Sequence, residues 1–147
     1  KTTDIHIENL IQEYQKRLTH YIPFTIQVIP ELKNTKALTT DQQKQAEGEL
    51  ILRAITSAND LVLLDEHGKE FRSIEFADYL QKKMSSGRDL VFVVGGPYGF
   101  SEAVYQRANG KISLSKMTFS HQMVRLFFVE QTYRAMTILR GEPYHHE

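Results

Sequence analysis

The residues best suited to chemistry stand near the C-terminus. Arg134, Tyr144 and His145 fall within one short stretch, and His121 precedes them. A guanidinium presents a planar fork of donors to a phosphate or to carbonyl oxygens. A tyrosine and a histidine each offer a ring that stacks and a polar atom that hydrogen-bonds. An imidazole is also the side chain that exchanges a proton near neutral pH. Tyr144 and His145 follow Pro143, beyond the end of any helix that holds Arg134, so they are not that helix's core; histidines this near a terminus are more often solvated than functional, and both a frayed terminus and a site fit them. His145, His146 and Glu147 are adjacent and converge poorly on one ion, so no metal is expected. The chain has no cysteine, which excludes disulfides, zinc-thiolate sites and thiol catalysis.

Two other segments can meet a ligand. In Val93-Val94-Gly95-Gly96-Pro97-Tyr98-Gly99, glycines directly follow an apolar run, and a backbone without side chains lets a ligand approach closely. The string is not GxGxxG, no GK[ST] follows it, and Pro97 lacks the N–H that a phosphate cradle uses. Both a ligand loop and a tight strand-to-helix turn fit it. The second segment is Leu114, Ser115, Lys116, Met117, Thr118 and Phe119, leading into Ser120 and His121. Its small and hydroxyl-bearing residues suit an adenosine or a ribose; an ordinary connection ending in a serine cap is the alternative.

These segments need elements to position them. Ile7, Leu10, Ile11, Tyr14 and Leu18 follow helical spacing after Asp4 and predict a first helix. Residues 24–29 alternate apolar and polar between Pro23 and Pro30, as a half-buried strand does. Thr40 and Gln43 have capping-box spacing ahead of a polar helix. Runs 61–64 and 90–94 are apolar on both faces, as central parallel strands are, and the first closes on Asp65 and a turn at Gly68. Ser73, Ser101 and Ser120 are placed to cap three further helices, the last stopped by Gly141 and Pro143, and a short strand is expected at 111–115.

The alternation predicts an α/β fold, with a mostly parallel sheet and helices on both faces. Ligands of such sheets bind beyond the carboxyl ends of the strands. Leu64 with Asp65, Gly95 with Gly96, and the segment after Ser115 are therefore expected along one edge. Leu126, Phe127, Phe128 and Val129 are apolar on every side of one helical turn. One small sheet cannot cover such a helix, so a partner subunit is expected to. Lys16, Arg17, Arg53, Lys82, Lys83 and Arg88 read as solvated helix faces.

At 147 residues, one compact domain spanning 1–147 is expected. Lys plus Arg and Asp plus Glu are both 18, so bulk positive charge does not hold this protein on nucleic acid, although a local basic face remains open. No apolar run reaches the roughly 20 residues of a membrane helix, and no signal-like segment is seen; a soluble cytoplasmic protein is expected.

Taken together, four strings carry a resemblance. They are Gly95-Gly96-Pro97-Tyr98-Gly99, the run from Leu114 to His121, Gln131-x-Tyr133-Arg134-Ala135, and Pro143-Tyr144-His145. With Glu47-Gly48-Glu49 and Leu64-Asp65-x-x-Gly68-Lys69, their order and spacing resemble the bacterial ribosomal RNA large subunit methyltransferase H (RlmH) family, a minimal branch of the SPOUT methyltransferases. The resemblance covers essentially the whole chain. Two departures stand out: family members begin with a short apolar strand ending in Val-Gly ahead of the position of Lys1, absent from this sequence, and Tyr98 stands where others carry an acidic or small residue.

The resemblance implies a single α/β domain with a C-terminal trefoil knot, and transfer of a methyl group from S-adenosylmethionine to N3 of a pseudouridine in 23S rRNA of the assembled ribosome. It implies cofactor contacts at Leu64, Gly95, Leu114, Ser115, Lys116, Met117, Thr118 and Phe119. It places Arg134, Tyr144, His145 and His121 on the RNA side, with His145 and His121 suited by type to take a proton. It also implies a homodimer, in which the tail of one subunit completes the pocket of the other. A related SPOUT enzyme acting on tRNA, and a ribosome-binding module without activity, are the alternatives.

Overall fold

A computed structural model describes residues 4–29, 32, 35–96 and 98–146. Pro30, Pro97 and Glu147 of the readings above lie outside the described residues. In chain order the elements are α1 (Ile5–Leu18), a 3-10 turn (Thr35–Ala37), α2 (Thr40–Arg53), β1 (Asp60–Glu70), α3 (Ser73–Met84), β2 (Leu90–Val94), α4 (Glu102–Arg107), β3 (Gly110–Ser113) and α5 (His121–Leu139). Strands and helices alternate from β1 onward, as an α/β fold requires. The chain divides into two compact units. One comprises Lys1–Ile26, Glu70–Gly87 and Leu114–Glu147; the other comprises Gln27–Lys69 and Arg88–Ser113.

The second unit holds the sheet, in the order β2-β1-β3. β1 and β2 are parallel, with Asp60 opposite Leu90 and Leu64 opposite Val94. Central β1 buries Leu61, Val62 and Leu63 completely, whereas β2, at the edge, is half-buried throughout. The two apolar runs look alike in sequence, and only their place in the sheet separates them. Leu61 and Leu63 share one face and pack with Ile51, Phe100 and Val104. Gly48 of α2 allows the close approach of α4, because a Cβ there would lie 2.5 Å from Ser101 Oγ.

The expected turn at Gly68 is not formed; Gly68 lies inside β1, which runs on to Glu70. The glycine is needed for a different reason. A Cβ on it would meet the Ile112 backbone at 2.5 Å. Arg88 is not a solvated cation either. Its guanidinium donates to the carbonyls of Ser57, Ala58 and Asn59 at 2.9–3.1 Å. Arg107 adds donations to Thr56 and Asn59, so two arginines pin the turn that leads into β1.

In the first unit α5 packs against both α1 and α3. Asp4 caps α1 by accepting from His6 N and Ile7 N, as its residue type predicts. Phe128 is buried against Phe76 of α3, with ring centroids 6.2 Å apart. Val129 is buried too, while Leu126 and Phe127 are half-buried. The chain itself thus covers two of the four residues of the apolar turn.

Further local expectations shift. Ser73 is the first residue of α3 and not its cap, which is Arg72, and the last strand covers Gly110–Ser113 in place of 111–115. The capping box of α2 is built by Thr39 and Gln42, one residue earlier than the sequence pattern suggests. Residues 24–29 form no strand, and Val28 is 72% exposed. Alternation marks a strand only where a neighbouring edge offers a ladder, and prolines on both flanks remove donors that a ladder uses.

Candidate functional site

The C-terminal tail is not frayed. α5 ends at Leu139, and Gly141 takes a φ of +70°. Glu142 N then donates to Thr137 O at 2.9 Å, closing the last turn and reversing the chain. The tail folds back along α5. Tyr144 donates its hydroxyl to Glu130 Oε2 at 2.8 Å, and its oxygen lies 3.2 Å from the Tyr14 hydroxyl. The Tyr144 ring meets Tyr133 edge-on at 4.8 Å, and the Arg134 guanidinium lies over it at 4.7 Å. Arg134 donates to Glu130 Oε2 at 2.7 Å from the same helix, one turn away. Its other terminal nitrogen is 3.1 Å from His145 Nδ1.

This geometry fixes the chemistry of each group. A guanidinium has donors only, so His145 Nδ1 accepts, and a neutral ring carries its proton on Nε2. Burial pushes the Tyr144 phenol well above its ordinary range, and its bonds to Tyr14 and Glu130 push it further. Tyr144 therefore stays a neutral donor. Glu130 holds Arg134 and Tyr144 at once. The sequence signal for it was its four-residue spacing from Arg134, which is also the spacing of an ordinary surface ion pair.

The other predicted residues of this unit take no part in these hydrogen bonds and ring contacts. His121 is the first residue of α5, thirteen residues before Arg134. At 1.5 Å per residue that is about 20 Å along one helix, so a single chain does not bring His121 to Tyr144 and His145. Residues 114–119 belong to neither helix nor strand. Ser115 Oγ accepts from Met117 N at 2.9 Å, and Phe119 anchors the segment on Phe127 of α5 at 5.1 Å. Lys116, Met117 and Thr118 are exposed. Ser120 caps α5 through Met123 N, as expected.

In the other unit, Leu64 pairs with Val94, so Leu64 and Gly95 stand at the same end of the sheet. Gly95 and Gly96 have reasons of their own. A Cβ on Gly95 would lie 2.8 Å from the Phe100 ring, and one on Gly96 2.9 Å from Glu47 Oε1. Gly99, at a φ of +81°, donates to Gly96 O and closes the turn. A large residue at Gly95 therefore strikes the core ring of Phe100. It reports on the fold before it reports on any ligand.

The same unit holds a cleft of about 610 Å³, lined among others by Asp65, His67, Tyr105 and Lys111. Burial and the neighbouring Asp65 carboxylate push the Tyr105 phenol up to about 12. A tyrosine whose pKa is higher in the folded than in the unfolded state favours the fold below pH 10. That contribution is lost as pH rises through 12. Alkaline unfolding followed by circular dichroism between pH 10 and 12 is therefore expected to be shallower in Tyr105→Phe than in the wild type. Equal slopes refute the assignment.

Among the described residues no helix is long and apolar enough to cross a membrane, and no group of three or more histidines and carboxylates is placed to hold a metal ion.

Comparison with known proteins gives this geometry a family. The model of the family described as "Predicted SPOUT methyltransferase" matches residues 1–145. The chain is 64% identical over 148 aligned residues to the ribosomal RNA large subunit methyltransferase H of Bacteroides thetaiotaomicron, covering 100% of this chain and 94% of that protein. The protein of the same name from Parabacteroides distasonis is also 64% identical, with the same coverage. Among solved structures, Archaeoglobus fulgidus Nep1 bound to S-adenosylhomocysteine is similar at a TM-score of 0.39 and 21% identity, over 62% of this chain and 38% of that one. The matched family spans both the strand ends and the tail, and the chain belongs to the SPOUT methyltransferases.

Proposed function

We propose that this chain methylates large-subunit ribosomal RNA, at N3 of a pseudouridine in 23S rRNA of the assembled ribosome, using S-adenosylmethionine. The observation that supports this most is the 64% identity, over the whole chain, to proteins named ribosomal RNA large subunit methyltransferase H. The ordered cluster of Arg134, Tyr144 and His145 fits the RNA side of such a reaction. The same proposal has the protein work in the cytoplasm, as a single domain with the family's trefoil knot.

The residues that would hold the cofactor are Leu64 and Gly95 at the strand ends, and Leu114, Ser115, Lys116, Met117, Thr118 and Phe119. The irregular segment 114–119, with its hydroxyls and exposed residues 116–118, fits a nucleoside. When bound, the cofactor supplies a methyl group already activated on a sulfonium. The chain then has to align that methyl with N3 and ease removal of the imide proton. Alignment alone is worth up to roughly 7–11 kcal/mol. As N3 loses its proton, negative charge spreads to the flanking carbonyl oxygens. Arg134 and the Nε2–H of His145 are donors suited to that charge. With Nδ1 engaged by Arg134, His145 acts as a donor in this arrangement, and the N3 proton leaves to water as the methyl is taken up.

The active form in this proposal is a homodimer packed through α5, with half-buried Phe127 toward the partner and the tail of one subunit completing the site of the other. Phe128 is a poor probe of that contact, because it already packs on Phe76. Sedimentation is expected to show dimers; a stable monomer at micromolar concentration overturns that part.

The direct test is mass spectrometry of 23S rRNA after ribosomes are incubated with the protein and S-adenosylmethionine. One added methyl on a pseudouridine is expected. Methylated tRNA with unmodified 23S rRNA would move the assignment to a tRNA enzyme. Absence of cofactor binding by calorimetry would leave a ribosome-binding module.

A further inference from the structure

The first unit carries a second set of arginines that the catalytic cluster does not use. Arg17 of α1 lies over the rings of Tyr14 and Tyr133, at 5.0 and 5.5 Å. Arg140, the cap of α5, lies over Tyr21 at 4.5 Å. Tyr21 and Tyr133 meet edge-on at 5.9 Å, joining the two stacks. Tyr133 in turn touches Tyr144 at 4.8 Å. A continuous path of rings therefore leads from Arg140 to the His145 tail, with every link under 6 Å.

The charges on this patch are available to a ligand. Arg140 makes no ion pair among the described residues. Arg17 pairs with Glu13 at 2.6 Å, but that pair is exposed, at 41% and 54%, and such pairs hold weakly. Glu142 accepts from the Tyr21 hydroxyl and keeps its negative charge, so Arg17, Arg140 and Lys16 outnumber Glu13 and Glu142 on this patch by one. Lys16 is exposed beside Arg17. A guanidinium with one face on a ring still points its donors outward in the ring-parallel plane; those of Arg140 make no ion pair among the described residues, and those of Arg17 are shared with exposed Glu13, which a phosphate can displace. The chain's net charge is zero, so a local patch has to supply the attraction to RNA.

We propose that Arg17 and Arg140, seated on Tyr133 and Tyr21, dock the phosphate backbone of the large-subunit rRNA strand whose base is presented to the tail. The proposal rests on the rRNA reading above. It adds a surface that binds substrate without touching the reacting atoms.

The test compares wild type, Arg17→Gln/Arg140→Gln and Arg17→Lys/Arg140→Lys by co-sedimentation with ribosomal particles at several salt concentrations, without S-adenosylmethionine. The Gln pair is expected to bind at least about tenfold more weakly, and to reduce the slope of log affinity against log salt by roughly 0.7–0.9 per lost phosphate contact. The Lys pair is expected to keep the slope and lose part of the affinity, since a point charge does not stack. A photo-crosslinker replacing Lys16 is expected to label 23S rRNA. Unchanged affinity and slope in the Gln pair, or crosslinks confined to ribosomal proteins, overturn the proposal. Methylation by the wild type is scored separately. A wild type that methylates 23S rRNA, with docking unaffected by the Gln pair, leaves the rRNA reading standing and removes only the patch. A wild type that docks through the patch but methylates nothing does the reverse.

Discussion

Truncation after Gly141 is expected to lower methylation of ribosomes by about two to three orders of magnitude, the usual range for losing a donor to developing negative charge. Affinity for S-adenosylmethionine is expected to stay within a few-fold. The tail supplies the Tyr144 ring under Arg134 and the His145 nitrogen beside it. Without them Arg134 keeps its bond to Glu130 but loses both groups that orient it from the tail. α1 and α3 still pack on α5, so the fold is expected to survive. His145→Ala separates chemistry from packing: it keeps the Tyr144 hydroxyl bonds and removes only the imidazole. A truncated protein that methylates at near wild-type rate would show the tail to be only a terminus.

Gly68→Val is expected to be the most damaging single change to the second unit. Its Cβ would sit 2.5 Å from the Ile112 carbonyl carbon and 2.6 Å from the Ile112 nitrogen, and backbone cannot rotate aside as a side chain can. Overpacking of this kind costs about 3 kcal/mol or more. For a chain of this size that lowers the melting temperature by roughly 10 °C. Gly87 is the control: it has nothing within 4 Å of a Cβ and only its φ of +78° to lose. Thermal melts of Gly68→Val and Gly87→Ala are expected to differ by several degrees, with Gly68→Val the lower. Equal melts would show that β1 and its neighbour can separate at no cost.

Much of the local structure was legible in the residues. Asp4, Ser101 and Ser120 cap the helices they precede, because a short polar side chain at that position meets an otherwise unpaired amide. Gly141 ends α5 because a left-handed residue is needed there. The parallel direction of β1 and β2 follows from two apolar runs linked by a helix. The strings that carry the family are also local, so membership could be read before any coordinates.

Tertiary structure decided what local pattern cannot encode. The runs 61–64 and 90–94 are both apolar throughout, and only the sheet order makes one central and the other an edge. Gly68 and Gly95 look like turn and ligand glycines. The fold uses them to admit Ile112 and Phe100, partners distant or unmarked in sequence. Alternation at 24–29 found no ladder. His121 and Arg134 share one helix that is too long to bring them together. Glu130, Tyr14 and Tyr133 became members of the candidate site only when the chain reversed at Gly141 and laid Tyr144 among them. Spacing along a helix fixes which residues share a face. Which distant segment returns to that face is set by long-range packing.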